Sequence, residues 1–61
     1  MYIMKRFQMI ISKKGYKETK WFRAVNPGSL VGEARDMIRA DYTIDKITIL
    51  DSYGDIVEIV K

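Results

Sequence analysis

The residues of this chain that could do chemistry are a lone tryptophan set among cations and a series of carboxylates, because histidine and cysteine are absent from all 61 positions. Those two side chains supply most general bases, activated nucleophiles and soft metal ligands near neutral pH. The Asp, Glu, Ser, Lys and Tyr that remain show no catalytic spacing, and a chain this short is not expected to build a cleft deep enough to shift their pKa values. The expectation is a binding protein rather than an enzyme, with no cofactor. No metal is expected either: a Cys/His zinc site is impossible, and Asp51 and Asp55 around Ser52-Tyr53-Gly54 lack the Asp-x-Asp-x-Asp-Gly spacing of a calcium loop.

Two groups of residues are candidates for recognition. Arg6, Lys17 and Arg23 around Trp21, with Gln8 and Thr19 as hydrogen-bonding neighbours, combine phosphate attraction with an aromatic ring on which an unstacked base can lie. A tryptophan in a chain this short is more often core or dimer interface than a shelf for a base, and a lysine-rich hairpin also discourages edge aggregation. The second group is acidic: Glu33, Asp36, Asp41, Asp45, Asp51 and Asp55 could imitate DNA phosphates or dock on a basic protein. Several of these acids also suit turns and early helical positions on structural grounds alone.

The two groups follow a sorting of charge along the chain. Residues 1–25 hold seven Lys or Arg against one acid, and residues 26–61 hold four against seven, so the net +3 conceals a dipolar molecule. Such a field favours a charged partner. One domain spanning 1–61 buries only about 60% of its unfolded surface. Without disulfides or metal, self-association is the expected extra source of stability. Met1–Arg6 has no apolar signal-peptide core, and no stretch approaches the roughly 20 apolar residues of a membrane span. The expectation is a soluble cytoplasmic protein with no membrane partner.

The elements that must position these residues are legible from periodicity. Ile3 to Ser12 alternates as a strand, Lys13-Lys14-Gly15-Tyr16 is a glycine-containing hairpin turn, and Lys17 to Val25 is a second strand rich in β formers. An even loop pairs Phe7 with Phe22 and Gln8 with Trp21, which puts Phe7, Met9, Ile11, Phe22 and Ala24 on one face. Trp21, Arg6, Gln8, Ile10, Lys17 and Arg23 then take the other face. An odd loop would pair Met9 with Trp21 and turn Trp21 inward; the even loop is preferred, although it sets Arg6 opposite Arg23.

Asn26-Pro27-Gly28-Ser29 ends the hairpin. A helix of about twelve residues follows and stops near Asp41, with Leu30, Ala34, Met37 and Ile38 as its apolar stripe. Ser29 is the favoured N-cap, with Glu33 and Asp36 in the first turns and Arg35 and Arg39 nearer the end. Asn26 as cap with Pro27 at the first helical position is the competing start. Ile44 to Leu50 and Ile56 to Lys61 read as two further strands around a Ser52-Tyr53-Gly54-Asp55 turn, with Val57 and Ile59 opposing Ile56, Glu58 and Val60. The fold class is α+β, β-β-α-β-β: a small antiparallel sheet with one helix on one face. The other face is expected to close in a homodimer.

A strand, a glycine hairpin, the aromatic run Lys20-Trp21-Phe22, the helix start Gly28-Ser29-Leu30 and the strand Asp45-Lys46-Ile47-Thr48-Ile49 together resemble a phage family. It is the small inhibitor of uracil-DNA glycosylase encoded by protein-primed Bacillus phages, and the resemblance covers about residues 7–50. In that family two protomers join through their sheets and present helix residues to the DNA-binding cleft of a host repair enzyme. The resemblance implies a DNA mimic acting on a host protein. Glu33 or Asp36 would stand for a phosphate and Met37 would lie near the enzyme's nucleotide-sensing loop, while Tyr42 at the helix end supplies the aromatic. It places inhibition first among functions, with single-stranded nucleic-acid binding through Arg6, Gln8, Lys17, Trp21 and Arg23 second.

Overall fold

A computed structural model describes residues 3–61. The order of elements is β1 (Lys5–Lys13), β2 (Tyr16–Ala24), α1 (Gly28–Ala40), β3 (Ile44–Leu50) and β4 (Ile56–Val60). The α+β fold expected from periodicity is therefore present, and all neighbouring strands are antiparallel. The strands lie in the order β2-β1-β3-β4. The helix connection carries the chain across β1, so β3 pairs with the first strand rather than the second.

The hairpin takes the even register. Its loop is Lys14-Gly15, and Lys13 pairs with Tyr16, Gln8 with Trp21 and Phe7 with Phe22. Gly15 has φ +93°, a left-handed value that an L side chain rarely adopts, so glycine at this position lets the turn be two residues long. Phe7, Met9 and Ile11 of β1 pack with Ile47 and Ile49 of β3, Val60 of β4 and Leu30 and Ala34 of the helix to form the core. The helix contacts β3 and β4, and the matching face of β2 is only partly covered. Phe22 and Ala24 of β2 join the core, while Lys20 stays exposed beyond the helix.

Three details depart from the alternating pattern. The helix starts at the earlier of the two expected places: the Gly28 N–H donates to Asn26 Oδ1 (2.9 Å), and the Pro27 carbonyl accepts from Leu30 and Val31. Pro27 has helical φ and ψ and lacks an N–H to orphan, so Asn26 caps better than Ser29, whose hydroxyl instead donates to the Asn26 carbonyl. Consequently Glu33 and Asp36 lie beyond the first turn, which contains no acid, whereas Arg39 does occupy the last turn.

The other two departures are register shifts. β3 shifts against β1 between Ser12 and Lys13, leaving Asp45 unpaired. β4 shifts against β3 between Ile49 and Leu50, so Leu50 pairs with Ile56 and Ile49 with Glu58, leaving Val57 unpaired. Each is a bulge of one residue. The second changes the phase of β4, so that Ile56 shares a face with Ile59 and not with Glu58 and Val60.

The two edges of the sheet differ. β2 presents Lys17, Glu18, Lys20 and Arg23, whereas β4 reads Ile-Val-Glu-Ile-Val. Among the described residues, no helix is long and apolar enough to cross a membrane.

Candidate functional site

The register fixes what stands on the sheet face opposite the helix. Arg6 pairs with Arg23. Trp21, Gln8, Leu50 and Ile56 form the next row across the four strands, and Thr19, Ile10, Thr48 and Ile59 the row after it. Lys17, Ser12 and Lys46 close the set. Cations therefore lie at both ends of this face, an aromatic and apolar band with amide and hydroxyl groups lies between them, and no acid belongs to these paired rows. Ser12 is buried, and Lys17 and Lys46 are its neighbours on either side.

The cost of placing Arg6 opposite Arg23 is relieved by geometry. The Arg6 guanidinium carbon lies 4.9 Å from the centroid of the Trp21 ring, the diagonal neighbour on this face. A cation over an indole contributes about 0.5–1 kcal/mol at an exposed site. Trp21 stays 54% exposed, so the contact with Arg6 does not remove this residue from solvent. All five residues of the basic group, Arg6, Gln8, Lys17, Trp21 and Arg23, thus meet on one face. Periodicity missed that Lys46, Thr48, Leu50 and Ile59 extend this face. Their alternation was legible, but their adjacency to the hairpin depends on strand order.

The acidic group is dispersed by comparison. Asp51 Oδ1 accepts from the Tyr53 and Asp55 N–H groups (2.9 and 3.0 Å) and fixes the β3-β4 turn. Asp41 Oδ1 accepts from the Thr43 N–H (3.0 Å) and hydroxyl, which closes the link from helix to β3. These bonds from Thr43, assisted by Lys13, hold the Asp41 carboxyl below its usual pKa. Lys13 lies 3.5 Å from Asp41 and 3.7 Å from Glu18. Partial desolvation would lower the Lys13 pKa, but Glu18, Tyr16 and Asp41 outweigh it and leave it raised.

On the helix, Glu33 and Asp36 are exposed, as are Arg35 and Arg39, so its solvent side is balanced in charge. Met37 is half-buried against the core, and Tyr42 is 96% exposed just past the helix end. Among the described residues, no cluster of three or more carboxylates could hold a metal ion.

A cleft of about 470 Å³ opens at the end of the sheet where β1 begins, between the link from β2 to the helix and the β3-β4 turn. Arg6 belongs to both this cleft and the Trp21 surface. A smaller hollow of about 250 Å³ lies at the other end of the helix beside Met37, Lys20 and Asp41. No family model, curated protein or solved structure matches this chain. Its chemistry is therefore read from these surfaces.

Proposed function

We propose that this protein binds single-stranded nucleic acid on the open face of its sheet. The observation that supports this best is the composition of that face: Arg6, Arg23, Lys17 and Lys46 without a paired acid, around an exposed Trp21 that Arg6 holds in place. Phosphates are drawn to the cations at either end, a base stacks on the indole, and Gln8, Thr19 and Thr48 offer hydrogen bonds to sugar and base. Stacking on such a ring contributes about 1–3 kcal/mol per base and tolerates any sequence. Titration of Trp21 fluorescence with an oligothymidylate tests it. Four phosphate contacts give a slope of log K against log salt of about −3, from roughly −0.7 per contact on a single strand. Absent or salt-independent binding rejects this function.

A second reading has one observation in its favour. Tyr42 is almost wholly exposed at the helix end, where it contributes nothing to packing, and Glu33 and Asp36 are exposed on the helix before it. This suits the inhibitor of a host uracil-DNA glycosylase implied by the family resemblance, with two protomers joined through their open faces. Near-equimolar protein should then abolish uracil excision by the purified enzyme, and full enzyme activity at tenfold excess rejects it. The two readings also differ in mass. Nucleic-acid binding leaves the open face free, whereas the inhibitor buries it in a dimer and brings two sets of four cations together. Sedimentation at tens of micromolar separates a 7.1 kDa species from twice that mass.

A further inference from the structure

The cleft at the start of β1 is built like a seat for a flat, partly apolar ring bearing a phosphate. Phe7, Val25 and Val57 give it an apolar lining, Lys5 and Arg6 give it positive charge, and Tyr53 stands beside it. Its volume of about 470 Å³ falls within the 300–1,000 Å³ range of small-molecule sites. Tyr53 is 89% exposed, yet its backbone is fixed, because the Tyr53 N–H donates to Asp51 Oδ1 and the Asp51 N–H to the Asp55 carbonyl. Gly54, with φ +87°, makes that tight turn possible. Asp51 also lines the cleft, with its Oδ1 engaged by the Tyr53 and Asp55 N–H groups, and Lys5 and Arg6 are the cations that line it.

Arg6 links the cleft to the tryptophan. Its guanidinium lies over the Trp21 ring on one side and its side chain borders the cleft on the other. A phosphate held by Arg6 would therefore sit between a base on Trp21 and a base in the cleft. Resting on the nucleic-acid function above, we infer that the cleft takes the base of the nucleotide next to the one stacked on Trp21. The protein then reads two successive bases on either side of one phosphate. Tyr53 stacks on the second base and Val25 and Val57 exclude water beneath it. The occupant is a nucleobase: among the described residues, Phe7 and Tyr53 are the aromatics that line the cleft.

The test uses fluorescein-labelled dT10 at low salt, with Trp21 quenching and anisotropy read together on the full chain. Tyr53→Ala, an exposed substitution, should weaken dT10 binding about 5- to 150-fold while Trp21 is still quenched at saturation. Val57→Phe, which fills the cleft, should weaken it in the same sense. Methyl resonances of Val25 and Val57 in the unmodified protein should shift on adding dT10, an outcome that does not depend on any variant folding. Quenching of Trp21 with unshifted methyls and unchanged affinity in Tyr53→Ala would overturn the two-base site and leave the open-face function standing. No quenching of Trp21 by dT10 at all would overturn both.

Discussion

The two faces of this sheet are made by alternate residues of the same four strands, yet they are different materials. One face is Phe7, Met9, Ile11, Ile47, Ile49 and Val60 under the helix, all nearly without solvent contact. The other carries Arg6, Trp21, Arg23, Lys17 and Lys46, with Ile10, Leu50, Ile56 and Ile59 in the wet band between. A domain of this size has one helix and can cover one face only. Stability is therefore concentrated on one side, and the other is left uncovered by the helix.

Substitutions can break this contrast. The largest effect should come from Ile47→Ala, which empties a fully buried site at the centre of the sheet. It should cost about 2–5 kcal/mol, comparable with the roughly 3–5 kcal/mol a core this small supplies. Urea titration followed by circular dichroism should find it largely unfolded, with binding lost as a consequence. Trp21→Ala is the counterpart on the other face. Its melting temperature should change little, while affinity for an oligothymidylate should fall about 5- to 150-fold by loss of one stacked base. Equal loss of stability in both variants would dissolve the distinction between the faces.

Two smaller effects sharpen it. Lys46→Gln and Lys17→Gln should each reduce the salt slope of binding by about 0.7, because both cations flank Ser12 on the open face. A change in Lys17→Gln alone would confine the site to the hairpin. Asp41 bears on the covered side through the helix end. Its folded-state pKa is lowered by Thr43 and Lys13, so its contribution to stability is present above the ordinary value of 3.8 and is lost as pH falls through the folded value. The stability difference between the native protein and Asp41→Asn should therefore narrow as pH drops below 3.8, as read from denaturant midpoints across the acid range.

The elements and the hairpin register were legible because a period of two leaves few choices once Phe7, Met9 and Ile11 must share a face with Phe22. That register also brought the whole basic group onto one surface. Strand order was not legible, since nothing local to β3 says which edge of the hairpin it joins. For that reason Lys46 and Thr48 were not placed beside Gln8 and Trp21. The bulges left faint signals that alternation alone misreads: Asp45-Lys46 is a polar doublet between buried Ile44 and Ile47, and Ile56-Val57 is an apolar doublet. Either breaks a period of two in the way an inserted residue does. Asn26 and Ser29 are both good caps by type, and the choice between them turned on Pro27, which needs no partner for a missing N–H. The cleft depends on the approach of two distant turns and has no sequence signature.

The unlike edges of the sheet have a further consequence. Charged side chains on an edge strand discourage pairing with another strand; β2 carries them along its length, whereas the edge of β4 reads Ile-Val-Glu-Ile-Val. Edge-to-edge growth of this protein would thus be one-sided: a second copy joined at β4 would leave only charged edges outward. Association of that kind would terminate at a pair rather than propagate into a fibril.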